Sequence, residues 1–137
     1  MDTVPTLLFG RNKLFREGLK SLLKGSQFNV VGEADDVGML DLPNDVEPGL
    51  ILIDLSSNPA HIVDDLNHLG TVFPDAPVVI LNDNLCSTTL ASCLAAGAAG
   101  YLMKDISLDA LLISLQLVVL GEKAPVRSCT TTGRIGR

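Results

Sequence analysis

The segment Leu50-Ile51-Leu52-Ile53-Asp54 decides how this chain is read. Four consecutive apolar residues between turn-prone neighbours fit a strand buried on both faces. In a parallel sheet the last residue of such a strand emerges at the carboxyl edge, where open α/β folds place their binding and catalytic groups. Asp54 is therefore the first candidate for a functional carboxylate.

Working outward, short apolar strands alternate with amphipathic helices. Residues 4–9 read as a first strand, and Leu14, Leu19, Leu22 and Leu23 as the buried side of a helix ended by Gly25. Residues 28–33 form a second strand, and Val37, Leu40 and Leu42 suggest a short helix stopped by Pro43. After the third strand at 50–54, Ile62, Val63, Leu66 and Leu69 recur at helical spacing, with Asp64, Asp65, Asn67 and His68 on the wet side. Residues 78–81 are a fourth strand and 85–95 a helix closed by the turn Gly97-Ala98-Ala99-Gly100. Tyr101-Leu102-Met103 is a very short fifth strand that delivers Lys104. Ser107 and Asp109 start a last helix whose apolar face runs Leu111, Leu112, Leu115, Val118 and Val119. Five βα units imply an α/β fold with a five-stranded parallel sheet, right-handed crossovers and helices on both faces. The flavodoxin-like order 2-1-3-4-5 is expected by analogy.

With 137 residues, 47% hydrophobic and 19% charged, the chain has the size and composition of one globular domain. Its net charge of −6 argues against a nucleic-acid surface within these residues. The first residues carry Asp2 and a short apolar run broken by Gly10, which fits neither a signal peptide nor an anchor. Residues 110–120, the longest apolar stretch, are too few to span a bilayer, so a cytoplasmic protein is expected. Cys86, Cys93 and Cys129 have no metal-ligand spacing; Cys86 and Cys93, seven apart, can share one side of a helix, with core packing favoured over redox chemistry. Residues 123–137 are basic and rich in Ser and Thr, a linker or tail beyond a domain at 1–122.

Several strings, in order and spacing together, resemble the receiver domains of bacterial response regulators, in particular those that precede a LuxR-type helix-turn-helix domain. They are Leu14-Phe15-Arg16-Glu17-Gly18-Leu19, Val30-Val31-Gly32-Glu33-Ala34, Leu52-Ile53-Asp54-Leu55, the run from Ala95 through Tyr101-Leu102-Met103-Lys104-Asp105, and Gly121-Glu122. The resemblance covers roughly residues 4 to 122. It implies a signalling module rather than an enzyme, one that takes part in two-component phosphorelay and controls transcription. The implied partners are a sensor histidine kinase, a second copy of the chain, and DNA through an effector domain outside these residues.

By the same resemblance, Asp54 matches the phosphoacceptor and Lys104 the lysine that holds a phosphoryl oxygen, while Asn82 and Tyr101 occupy switch positions. The acidic pair that binds Mg²⁺ should fall at Gly10 and Arg11, neither of which is acidic. Asn82 replaces the usual Ser or Thr, and the proline after the phosphoacceptor is displaced into Ser57-Asn58-Pro59. Mg²⁺ requires oxygen ligands, so it is expected to bind weakly or not at all, with no other cofactor. Arg11 is expected to lie near Asp54 and, with Lys104, to compensate its charge in place of a metal. Restoring acids at Gly10 and Arg11 should then restore metal binding.

Two other readings remain open. Asp54 can be a working phosphoacceptor whose metal ligands come from Asp35, Asp36 or Asp83. Alternatively, the chain is a small flavodoxin-like ligand-binding protein, although no Gly-rich phosphate loop follows a strand. His61 and His68, seven apart on the third helix, lack the further ligands of a closed metal site.

Overall fold

The computed structural model describes residues 3–39, 47–55, 61–84 and 86–121. Five strands, β1 (Val4–Phe9), β2 (Phe28–Ala34), β3 (Leu50–Asp54), β4 (Val78–Asn82) and β5 (Gly100–Met103), form one parallel sheet in the order β2-β1-β3-β4-β5. Among the described residues, α1 (Lys13–Leu23), α2 (Ile62–Val72) and α3 (Ser87–Ala95) connect strands, and α4 (Leu108–Val119) follows β5. The expected strand order is therefore observed. Of the expected second helix, only a 3₁₀ turn at Val37–Met39 lies among the described residues; Leu40, Leu42 and Pro43 lie outside them, as does the tail beyond Gly121.

Alternation along the strands sorts the core into two layers, since successive side chains point to opposite faces. Leu7, Phe9, Ile51, Ile53, Ile80 and Tyr101 pack with α2 and α3 on one face. On the other, Leu8, Leu50, Leu52, Leu81 and Leu102 pack with α1 and α4. β3 is buried at all five positions, as its unbroken apolar run requires.

The helix ends follow from local chemistry. Asn12 and Ser107 accept hydrogen bonds from the backbone N–H of Phe15 and Ala110, capping α1 and α4. Beyond α1, Gly25 adopts φ +86°, which favours glycine, and Gly97 after α3 adopts +105°.

The buried stripe of α1 differs from the expected one. Leu19 and Leu23 are buried, but Leu14 and Leu22 are 84% and 52% exposed. The helix is rotated so that Phe15, Leu19 and Leu23 meet the sheet, with Arg16 beside them, and the neighbouring Leu14-Gly18-Leu22 stripe faces outward. Val63 on α2 is likewise exposed. The two helical cysteine positions also separate: Cys93 is a core residue, whereas Cys86 is the exposed N-cap of α3.

Candidate functional site

Asp54 closes β3 in register with Leu81 of β4, and shares the parity of Leu50 and Leu52. Lys104 follows β5 and is tied to the end of β4 by its backbone N–H, which donates to the Asn82 carbonyl at 2.9 Å. The two side chains meet at the carboxyl edge. Lys104 Nζ stands 2.6 Å from Asp54 Oδ1 and 3.8 Å from Asp83 Oδ1. It also lies 4.2 Å from the Phe15 ring centroid, a cation–π contact. With side-chain exposures of 11% for Lys104 and 1% for Asp54, the pair is shielded from water and from salt screening.

Gly10, the first residue after β1, lies directly against this carboxylate. A Cβ placed there would stand 2.6 Å from the Cβ of Asp54 and 3.3 Å from its Oδ2. The backbone of Gly10 is held on both sides: its N–H donates to the Ala34 carbonyl, and its carbonyl accepts from Arg16 Nη1. A side chain at this position would require Asp54 or the strand end to move, so an acid introduced at Gly10 would not enter without displacing its surroundings.

The expected approach of Arg11 to Asp54 is also corrected. The Arg11 guanidinium donates through Nε and Nη2 to both carboxylate oxygens of Asp36, at 3.0 and 3.1 Å. This planar fork-to-carboxylate match is the arrangement arginine favours. Arg11 and Asp54 line the same small cleft, together with Asp35, Asp36 and Asp65, with a volume of about 30 Å³. Burial, followed by the charge of Asp36, raises the Asp65 carboxyl above its ordinary range.

Arg16 is a site residue that the sequence reading did not single out. Only 7% exposed, it donates from Nε to Glu33 at 3.1 Å and from Nη1 to Asp35 and to the Gly10 carbonyl. Lys20, one turn further along α1, pairs with Glu33 and with Glu17. The Lys20 ammonium, followed by the Arg16 charge, holds the Glu33 carboxyl below its ordinary range despite partial burial. The available signal was a cation at position 16 on the side of α1 that turns toward the acidic end of β2.

Asn82 has the parity of Val78 and Ile80, on the α2 and α3 side of the sheet. Its amide Nδ2 donates to the Tyr101 hydroxyl at 2.8 Å, and that hydroxyl donates to the Asn84 carbonyl at 3.3 Å. The Tyr101 ring is fully buried, and burial raises its phenol above the ordinary value against the opposing effect of the Asn82 hydrogen bond. His61 and His68 are both exposed. Ser57, Asn58 and Pro59 lie outside the described residues.

Comparison with known proteins gives a consistent picture. No protein-family model matches the chain. It is 34% identical over 114 residues to the nitrate/nitrite response regulator NarP of Escherichia coli, covering 80% of this chain and 52% of that protein. It is 28% identical over 122 residues to the transcriptional regulatory protein DegU of Brevibacillus brevis, covering 88% and 52%. A crystal structure of a two-component response regulator of the LuxR family from Aurantimonas superposes with a TM-score of 0.81 at 23% identity, covering 95% of this chain and 94% of that one. NarP and the Aurantimonas protein are thus response regulators, the latter of the LuxR family, and DegU is a transcriptional regulatory protein. The fold is the flavodoxin-like receiver fold that these proteins carry. The chain spans about half the length of the curated relatives it matches. No described helix is long and apolar enough to cross a membrane.

Proposed function

We propose that this chain is the receiver module of a transcription-controlling response regulator in which metal-dependent phosphorylation of Asp54 is impaired. The observation that carries this reading is the close approach of Gly10 to Asp54, where the resemblance places an acidic metal ligand. A hydrated Mg²⁺ needs oxygen donors in near-octahedral geometry and room for several waters. The cleft around Asp54 is small, about 30 Å³. Its nearby carboxylates Asp36 and Asp35 are engaged by Arg11 and Arg16, and the Gly10 carbonyl is an acceptor for Arg16. These residues do not fit the metal.

The chain's own cation takes over part of the metal's electrostatic task. Lys104 neutralises Asp54 directly, so the carboxylate sits in a paired ground state rather than one awaiting a phosphoryl group. Output then depends on association with a second copy, a kinase or another protein partner, with DNA contacted by an effector domain outside these residues. The similarity to DegU, a transcriptional regulatory protein, and the acidic charge of this chain support that division of labour. Calorimetric titration with Mg²⁺ tests the reading. No saturable binding is expected at low-millimolar concentrations, whereas saturable binding that Asp54→Asn abolishes would favour a functional phosphoacceptor with substitute ligands.

A further inference from the structure

Lys104 also borders a second and larger recess, of about 450 Å³, between α1 and α4. Its walls are Leu14, Phe15 and Leu22 from α1 and Leu108 and Leu111 from α4, and it reaches down to Leu81, a 2% exposed residue of the sheet. The recess is an open groove, with Leu14 and Leu22 at its rim 84% and 52% exposed, but its floor reaches the core and its size and apolar lining fall in the range of small-molecule sites. Gly18 opens the α1 wall, since a Cβ there would meet nothing within 4 Å.

The polar groups are confined to Asn12 and Lys104. Asn12 Oδ1 is used to cap α1, so its remaining contribution is the amide N–H. Lys104 is already charge-compensated by Asp54, with Asp83 beyond. An anionic head group would add negative charge beside these carboxylates, and a cationic one would face Lys104. We propose that this recess binds an uncharged, largely apolar small molecule carrying one acceptor oxygen directed at the Asn12 amide. Scaled from a cavity of 150 Å³ that holds benzene, the volume suits about ten to twenty non-hydrogen atoms. Phe15 is both a wall of the recess and the ring beneath Lys104, so the recess adjoins the Lys104–Asp54 pair. The site is independent of whether Asp54 accepts a phosphoryl group.

The test is a titration of the whole isotope-labelled chain with 2-naphthol, followed by amide chemical shifts. Saturable shifts are expected in α1 and at the start of α4. Gly18→Leu and Leu108→Trp, which fill the recess from opposite walls, should each weaken binding about tenfold or more while the melting temperature is retained. The proposal is overturned if the wild-type chain shows no saturable shift, or if both folded variants bind as well as wild type. It is also overturned if sedimentation shows that this face is covered by a second copy of the chain, which Gly18→Leu separates.

Discussion

Gly10 and Asp54 approach so closely that a single added carbon on Gly10 would stand 2.6 Å from the Cβ of the carboxylate. Real carbon atoms do not pack at that distance, so the position admits glycine for spatial reasons, without any demand on its backbone dihedrals. Gly10→Ala is expected to cost about 1–3 kcal/mol, typical of overpacking in a closed site. Urea unfolding measures it. Arg11→Asp combined with Gly10→Asp should be less stable than Arg11→Asp alone, and a Gly10→Ala variant as stable as wild type would refute the steric account.

The Lys104–Asp54 pair is buried, so removing one partner should cost far more than removing a surface ion pair. Lys104→Met is expected to lose about 3–5 kcal/mol, with part recovered when Asp54→Asn is added. A double-mutant cycle reads the coupling directly. Strict additivity of the two substitutions would contradict the contact.

Tyr101 is the only tyrosine, and the chain has no tryptophan, so ultraviolet titration reads this one hydroxyl. Burial raises its pKa in the folded protein, so it should ionise above the usual value of about 10. The neutral phenol is favoured by folding; its contribution is full below the unfolded pKa and is lost as pH rises through the folded one. Asn82→Ala should move the titration further upward, because the amide hydrogen bond opposes the shift.

Glu33 gives the opposite pH limb. Its folded pKa is lowered by Lys20 and then Arg16, so its stabilising contribution is present above the unfolded value of about 4.3 and is lost as pH falls through the folded one. Glu33→Gln should lower stability at neutral pH and flatten the acid limb of the stability curve. Denaturant midpoints across pH 2–7, a range of about two units either side of the unfolded value, check it.

The fold was legible because β-strand burial leaves a direct trace: the apolar run of β3 and the alternating chain pattern imply a parallel sheet, whereas its order came by analogy with flavodoxin-like folds. Helix rotation was less legible. Leu14 and Leu22 lie on a stripe adjacent to that of Phe15, Leu19 and Leu23, and spacing alone does not say which of two neighbouring stripes meets the sheet. At the site, the Lys104–Asp54 pairing followed from two strand ends meeting at one edge. The partner of Arg11 did not, because a long side chain can reach any of several carboxylates, and Asp36 offers a two-point match. Nor does sequence report distances between backbones, which is why the contact of Gly10 with Asp54 emerged only in three dimensions.

The central claim is that Asp54 retains the phosphoacceptor position without the metal-dependent means of charging it. Intact-mass spectrometry after incubation with Mg²⁺ and acetyl phosphate tests this most directly. The account predicts an unchanged mass for wild type and for Asp54→Asn alike. A gain of one phosphoryl group on the wild-type chain, absent in Asp54→Asn, would contradict it.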